Sequence, residues 1–172
     1  YAMLGAIRAT AQMISYELAM GLSLASIVLI AGSFNLQDIV VAQQGLPYIV
    51  VQPFAFIVFV IAGLAELKRA PFDLPEAENE IVAGFHTEYS SMKFAIFQLA
   101  EFMAPIVTAL IVATLFLSGT RGFDPVPGQV WFVAKVFGVI FLLLWARATW
   151  PRLRIDQIMS FAWKGLFALA LV

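Results

Sequence analysis

The sequence contains no cysteine and a single histidine among its 172 residues. Without thiols the chain forms no disulfide, ligates no iron–sulfur cluster and offers no cysteine nucleophile. One histidine also disfavours a zinc site built from this chain alone, because such sites combine several His or Cys ligands. The sequence therefore predicts no metal and no redox centre held by ligation in this chain.

Charge is scarce as well. Asp, Glu, Lys and Arg make up 12% of the residues, against about 25% in a soluble domain. The net charge is −1, so the basic surface that nucleic-acid binding requires is missing. Hydrophobic residues reach 62%. Since one membrane-spanning helix needs about 20 apolar residues, we predict an all-α, polytopic transmembrane bundle with about five spans and a single domain over 1–172.

Five apolar stretches are the predicted spans, at about residues 3–31, 48–67, 93–117, 130–150 and 156–172. The first contains Arg8, Gln12 and Glu17, polar residues that need protein or water around them. Residues 32–47 are turn-rich and predict a short loop. Residues 68–92 predict a long acidic loop. The chain lacks an initiator Met and ends inside an apolar stretch, which indicates a piece of a longer protein.

The loop charges predict the orientation. Basic residues near the span ends collect on one side of the membrane, and Arg121 is the loop base on the other side. By the positive-inside rule, the acidic loop then faces the cytoplasm or the corresponding compartment of an organelle. The residues on that side are Arg8, Lys68, Arg69, Lys93, Arg147, Arg152 and Arg154.

Acidic residues are concentrated around this loop. Of the eleven in the chain, seven lie between the end of the second span and the middle of the third: Glu66, Asp73, Glu76, Glu78, Glu80, Glu88 and Glu101. On a helix, two acids four residues apart share a face, and their repulsion favours the protonated form of one of them. Glu76 and Glu80 have this spacing, which suits a pair that holds or passes a proton. A solvated acidic surface is the alternative.

Two acids are predicted at membrane depth. Glu17 lies well inside the first span, where an ionisable side chain indicates a cavity or a partner. Glu101 precedes Pro105 by four residues, so the carbonyl of Glu101 lacks its usual helical N–H donor. A carboxyl and a freed carbonyl together suit a hydrated kink that moves protons. A buried hydrogen bond that merely joins helices is the alternative for each.

Aromatic and basic side chains flank the third and fourth spans. Arg147 and Arg152 stand near Trp145 and Trp150, a pattern typical of the membrane interface and also of a docking edge for a soluble partner. Phe94, Phe97 and Phe102 are typical of lipid-facing or bundle-facing residues, and aromatic walls also suit a quinone-like ring.

One long motif resembles a known family. Residues 65–102, AELKRAPFDLPEAENEIVAGFHTEYSSMKFAIFQLAEF, are similar to the signature of the quinone-chamber membrane subunit of respiratory complex I, the proton-translocating NADH:quinone oxidoreductase. This is the H-subunit, or subunit 1, family. The resemblance continues in GAIRATAQMISYELAMGLS and WARATWPRLRIDQIMSFAWKG and covers nearly the whole chain. It implies a C-terminal portion of an eight-span subunit.

The resemblance implies roles for particular residues. Glu17 matches the family's intramembrane glutamate on the acidic route toward the pumping subunits. Arg147 and Arg152 match arginines near the chamber and the peripheral arm. Gln98 stands where some members carry an aromatic residue, which leaves the contacts to the quinone tail open. The family's charged loop and the helix after it, which link quinone reduction to proton pumping, are matched by Glu66, Arg69, Asp73, Glu76, Glu78, Glu80, Glu88 and Glu101.

The resemblance also implies the partners. Iron–sulfur clusters and FMN would belong to peripheral-arm subunits, one of which carries the terminal cluster, while quinone is the substrate. Small membrane subunits, antiporter-like pumping subunits and the lipid bilayer are the other implied partners. The spelling of DLPEAE and HTEYS is closer to bacterial than to animal mitochondrial members, which implies the bacterial inner membrane.

Three other interpretations stay open from the sequence. Homologous subunits serve membrane-bound hydrogenases and other quinone- or phenazine-linked reductases. A stand-alone ion or proton transporter would use Glu17 and Glu101 as its site and the acidic loop as its gate. A pure membrane anchor would need its buried acids only for assembly.

Overall fold

A computed structural model describes residues 2–67, 72, 91–122, 125–151 and 153–171. These residues are mainly helical and contain no strand, which confirms the predicted all-α fold. The helices are α1 (Ala2–Ala31), α2 (Leu36–Ala42), α3 (Tyr48–Val51), α4 (Pro53–Glu66), α5 (Ser91–Leu115), α6 (Gly128–Thr149), α7 (Ile155–Ser160), a π-helical segment (Phe161–Leu166) and α8 (Phe167–Ala170).

Among the described residues, three helices are long and apolar enough to cross a membrane. They are Ala6–Ala31 of α1, the whole of α5 and the whole of α6. α4 is a shorter apolar helix of 14 residues. The last stretch continues as one helical rod from α7 through the π-helical segment to α8. Together these helices define a polytopic helical membrane protein.

The stretch predicted as the second span is two helices rather than one. The chain leaves helical geometry at Gln52, whose φ and ψ are −131° and 70°. Pro53 follows, and a proline disfavours the α conformation of the preceding residue while fitting well in the first turn of a helix. Only α4, about 21 Å long at helical rise, therefore continues toward the acidic segment.

The predicted loop over residues 32–47 contains the short helix α2. The side chain of Asn35 caps it by accepting a hydrogen bond of 3.2 Å from the Gln37 backbone N–H. Ile39 is fully buried, and α2 packs against α5. Seven residues carry too weak a periodic pattern to indicate a helix, so the cap and this one tertiary contact decide it.

α4 occupies the centre of the arrangement. It runs antiparallel to α1, since the Gln12 side chain bonds to the Ala65 carbonyl near one end and Ser26 bonds to Gln52 near the other. α5 runs antiparallel to α4, with Gly63 facing Thr108. α6 packs along α5, and the last helical segments contact both α1 and α4.

The buried face of α1 consists largely of small and polar residues. Five residues at three- to four-residue spacing are each at most 5% exposed: Gln12, Ser15, Ala19, Ser23 and Ile27. Small residues let two helix backbones approach closely, which favours association in lipid, where apolar contact alone brings no gain. Most of the large apolar side chains of α1 instead point outward, as they do on helices surrounded by hydrocarbon.

Candidate functional site

Gln12 joins three parts of the chain at the end of α4. Its side-chain Nε2 donates to the carbonyl of Ala65 at 2.8 Å and to the carbonyl of Phe72 at 3.0 Å. Ala65 lies in the last turn of α4, whose carbonyls lack partners within the helix. Phe72 lies in the polar segment that follows. The amide therefore bonds α1 to one residue before Glu66 and to one residue after it.

Tyr16 extends this junction by one helical turn. Its ring packs edge-on against Phe72 with 5.4 Å between centroids, and its hydroxyl donates to the Ile158 carbonyl at 3.3 Å. Both Tyr16 and Phe72 are almost fully buried. Nearby, the indole N–H of Trp163 donates to the Ser15 hydroxyl at 3.2 Å. The same face of α1 thus contacts α4, Phe72 of the acidic segment, and the last helical stretch, from α7 to α8.

A small cavity adjoins Gln12. It has a volume of about 10 Å³ and is lined by Ala9, Gln12, Met13, Ala65 and Glu66. Among the described residues, no group donates a hydrogen bond to Oε1 of Gln12, although this atom is buried. An unsatisfied buried amide oxygen costs about 1–3 kcal/mol, and a cavity of this size admits one water. Gln12 and Glu66 are the polar residues of a lining that is otherwise apolar, and the volume is close to that of one water.

The three described acids of the predicted site lie at different depths. Glu66 is three residues beyond Gly63, and Glu101 is seven residues beyond Thr108 in the same direction, so Glu101 stands about 6 Å past Glu66 at helical rise. Glu17 is five residues from Gln12, on the opposite side, and stands about 9 Å from the level of Glu66. The acids therefore follow one another along the direction of the helix axes.

Two of these acids lie on the surface of this chain, whereas one carboxylate oxygen of Glu101 is buried. Glu17 and Glu66 are exposed on the chain, and Glu101 is half-buried. The sequence predicted a cavity or a partner for Glu17, and the surface it occupies is open for other spans or other chains to cover. An exposed carboxylate at this depth needs such a cover or water.

The N-terminal half of α5 extends past the end of α4. Phe94 and Phe97 are 41% and 39% exposed, and Gln98 is half-buried. Because α4 is 14 residues long and α5 is 25, the first turns of α5 lack α4 as a neighbour. Arg147 is exposed in the last turn of α6, at the end that α6 shares with the beginning of α5.

The other predicted site residues lie outside the described residues. They are Arg69, Asp73, Glu76, Glu78, Glu80, Glu88 and Arg152. Within the described part of the chain, no group of three His, Cys, Asp or Glu side chains comes close enough to hold a metal ion.

A second polar cluster, at the opposite end of the helices, was not predicted. Gln43 is buried; its Oε1 accepts the Ser118 backbone N–H at 3.0 Å, and its Nε2 donates to the Thr114 carbonyl at 3.3 Å. Lys135 donates to the carbonyls of Leu117 and Gly119 at 2.6 and 3.0 Å. The sequence signal for this cluster is a polar side chain in or beside an apolar stretch, a signal used above for Gln12 but not for Gln43 or Lys135.

The helices and their outward apolar surfaces define the class: a polytopic, all-helical membrane protein with a polar junction at one end of its central helix. Comparison with known proteins gives the family. The family model described as NADH dehydrogenase matches residues 1–172, and the chain belongs to this family.

Curated relatives agree with this family. The H subunit of the NADH-quinone oxidoreductase of Syntrophotalea carbinolica is 54% identical over 172 residues, and that of Geobacillus kaustophilus is 53% identical over 175 residues. An H subunit of the same enzyme from Geobacter metallireducens is 54% identical over 172 residues. Each alignment covers all of this chain but only 52%, 53% and 52% of the relative, respectively. The chain thus spans about half the length of the curated relatives it matches.

Proposed function

We propose that this chain is part of the membrane subunit of a proton-translocating NADH:quinone oxidoreductase. In this role it forms part of the quinone chamber and couples quinone reduction to proton movement through its carboxylates. Relatives that are named as the H subunit of NADH-quinone oxidoreductase, and that match over the whole chain, support the complex. The membrane helices support a place in the bilayer, which we propose is the bacterial inner membrane with the acidic loop on the cytoplasmic side.

The observation that carries the coupling role is the junction at Gln12. Phe72, at the beginning of the acidic segment, bonds to Gln12 and packs on Tyr16, the residue directly before Glu17. A rearrangement of the acidic segment therefore acts on α1 without any intermediate element. A two-state segment of this kind, biased by the redox state of the quinone, can change the proton occupancy of its carboxylates.

Electron transfer itself takes place elsewhere in the proposed complex. Iron–sulfur clusters and FMN would sit in peripheral-arm subunits, and proton pumping would involve the small and antiporter-like membrane subunits. This chain supplies an apolar surface for the isoprenoid tail of the quinone. The exposed rings of Phe94 and Phe97 next to Gln98, where α5 extends past α4, support such a wall. Arg147, together with Arg152, is proposed to face the peripheral arm.

The proton-coupling role is tested by removing single carboxylates from the whole complex. Glu76→Gln and Glu80→Gln should each lower quinone-reductase turnover and proton pumping by about tenfold while leaving assembly intact, because a neutral amide cannot carry the proton. Turnover is measured as quinone-dependent NADH oxidation in membranes, and pumping by a pH-sensitive dye in proteoliposomes. Glu17→Gln tests the intramembrane acid in the same way.

Asp38→Asn is the matched control. Asp38 is an exposed acid in α2, at the opposite end of the helices, where it accepts a hydrogen bond of 2.9 Å from the Ser33 hydroxyl. We expect this variant to retain normal turnover and pumping. Normal rates in the Glu76 and Glu80 variants would refute the proton-coupling role and leave a membrane anchor.

Co-purification tests the complex itself. The full-length protein is extracted in mild detergent, and the chains that accompany it are identified by mass spectrometry. Iron–sulfur subunits together with antiporter-like subunits are the expected result. Co-purification of hydrogenase subunits would instead indicate that the chain belongs to a related reductase. A chain that purifies alone and carries ions in liposomes would overturn the proposal.

A further inference from the structure

The amide of Gln12 is bonded to two main-chain anchors. Both anchors are carbonyls, those of Ala65 and Phe72, and both bonds come from the single Nε2 atom at 2.8 and 3.0 Å. Gln12 is 4% exposed, so water does not compete for these bonds. An –NH₂ group has two hydrogens, and this geometry uses both of them.

The two anchors lie on either side of Glu66. One is the residue directly before it in α4, and the other lies six residues after it, so the eight residues from Ala65 to Phe72 are tied to α1 at both ends. Phe72 is held a second time by its ring contact with Tyr16. A simple helix cap would need only the first bond. The second bond fixes where the chain returns after Glu66.

The same amide borders the space beside Glu66. Gln12 and Glu66 line one small cavity, and Oε1 of Gln12 accepts no hydrogen bond from any described residue. Among the described residues, the charged and titratable groups around this amide are Glu66 on α4 and, on α1 itself, Arg8 and Tyr16 one turn away on either side. A methionine at position 12 would fill the same volume but could neither donate to the two carbonyls nor accept from a water as an amide does.

We propose that Gln12 is a positioning residue, which holds Glu66 between two carbonyl anchors and so sets the place of this carboxylate relative to Glu17. The inference rests on the proposed function, since it gives Gln12 a role in the same proton coupling. It assigns to an uncharged side chain a function that its residue type alone does not indicate.

The test uses Gln12→Met in the whole complex, with Gln44→Met as the control. Gln44 is an exposed glutamine in the segment between α2 and α3. Three quantities are measured: assembly on native gels, hydrogen exchange of the peptide over residues 66–72, and the number of protons moved per NADH oxidised in proteoliposomes. The last quantity separates positioning from a merely structural role.

We expect Gln12→Met to assemble, to exchange this peptide about tenfold faster and to move fewer protons per NADH, because a loosened carboxylate misses its proton-transfer geometry. The control should match the wild type in all three. Unchanged exchange of the peptide in Gln12→Met would show that the two bonds do not hold this segment in place. Faster exchange with an unchanged number of protons per NADH would show that Gln12 has a purely structural role. Either result overturns the inference.

A second variant covers failure of the first to assemble. Gln12→Glu keeps the size of the side chain, and its carboxyl group keeps one hydrogen-bond donor when it is protonated. Assembly, hydrogen exchange and the proton ratio of this variant then test the inference in the same way. If neither variant assembles, Gln12 serves folding and the inference is overturned. Loss of NADH oxidation or pumping in the wild-type preparation would refute the proposed function instead, so the two failures are distinct.

Discussion

At the scale of single residues, Lys135 shows how a charge is accommodated in an apolar helix. Its Nζ donates to the carbonyls of Leu117 and Gly119, and also to that of Arg121. These carbonyls belong to the turn after α5, where Ser118 and Gly119 both have positive φ. Cations stabilise the C-terminal end of a helix, where carbonyls lack partners and the helix dipole is negative. Lys135 therefore holds the turn between α5 and α6 in its left-handed conformation.

Removing this charge should destabilise the turn. We expect Lys135→Met to lower the free energy of unfolding by about 2 kcal/mol, since hydrogen bonds from a charged donor are lost and carbonyls stay unsatisfied. The measurement is unfolding of the purified full-length protein in detergent. Lys164→Met, at an exposed lysine of the π-helical segment, is the control and should unfold like the wild type. Equal stability of the two variants would contradict the role given to Lys135.

At the scale of elements, the contact between α4 and α5 depends on a glycine. A Cβ added at Gly63 would lie 3.0 Å from the Cγ2 methyl of Thr108. Gly63 is buried among other buried residues of α4, so the facing helix has little room to retreat. The absence of a side chain at this position therefore lets the Thr108 methyl of α5 pack directly against the backbone of α4. In membranes, small residues at helix contacts have this effect.

A large side chain at this position should separate the two helices. We expect Gly63→Leu to destabilise the protein by about 1–3 kcal/mol through overpacking, while Gly63→Ala requires only a small shift of the Thr108 methyl. Gly138→Leu is the matched control, because Gly138 lies in α6 and has nothing within 4 Å of an added Cβ. Detergent unfolding of the three variants is the measurement. A loss of stability in Gly138→Leu equal to that in Gly63→Leu would point to helix propensity rather than packing.

At the scale of the whole molecule, the two polar clusters lie at opposite ends of the helices. Gln12, Ala65 and Phe72 meet where the acidic segment begins, whereas the cluster of Gln43 and Lys135 lies at the other end. The antiparallel course of α1, α4 and α5 requires this separation. By the positive-inside rule, the first cluster is expected on the cytoplasmic side and the second on the opposite side.

Single cysteines test this orientation, since the chain is naturally free of cysteine. In full-length protein with any other cysteines replaced, Asn79→Cys should react with an impermeant maleimide only in inverted vesicles. Gln44→Cys should react only in right-side-out cells. The two variants serve as controls for each other. Labelling from the opposite sides would reverse the proposed topology.

The helical, membrane-spanning class followed directly from composition, because apolar stretches of about 20 residues satisfy their backbone hydrogen bonds in lipid by forming helices. The bounds of α1, α5 and α6 lie close to the predicted apolar stretches for the same reason. Local departures were harder to foresee. The break at Gln52 has a local signal in Pro53, but α2 depends on the cap of Asn35 and on burial of Ile39 against α5.

The candidate site, too, was only partly predictable from the sequence. Acids such as Glu17 and Glu101 were predicted because a charge within an apolar stretch is costly, and that cost is visible in the residue order. The partners of Gln12 were not predictable, because Ala65 and Phe72 contribute backbone carbonyls and lie 53 and 60 residues away. Sequence alone determined that this protein is a helical membrane protein with acids inside its apolar stretches, since these properties depend on local hydrophobicity. Tertiary structure decided which helix holds the acidic segment, since a bond to a carbonyl depends on where the backbone lies and leaves no trace in residue type.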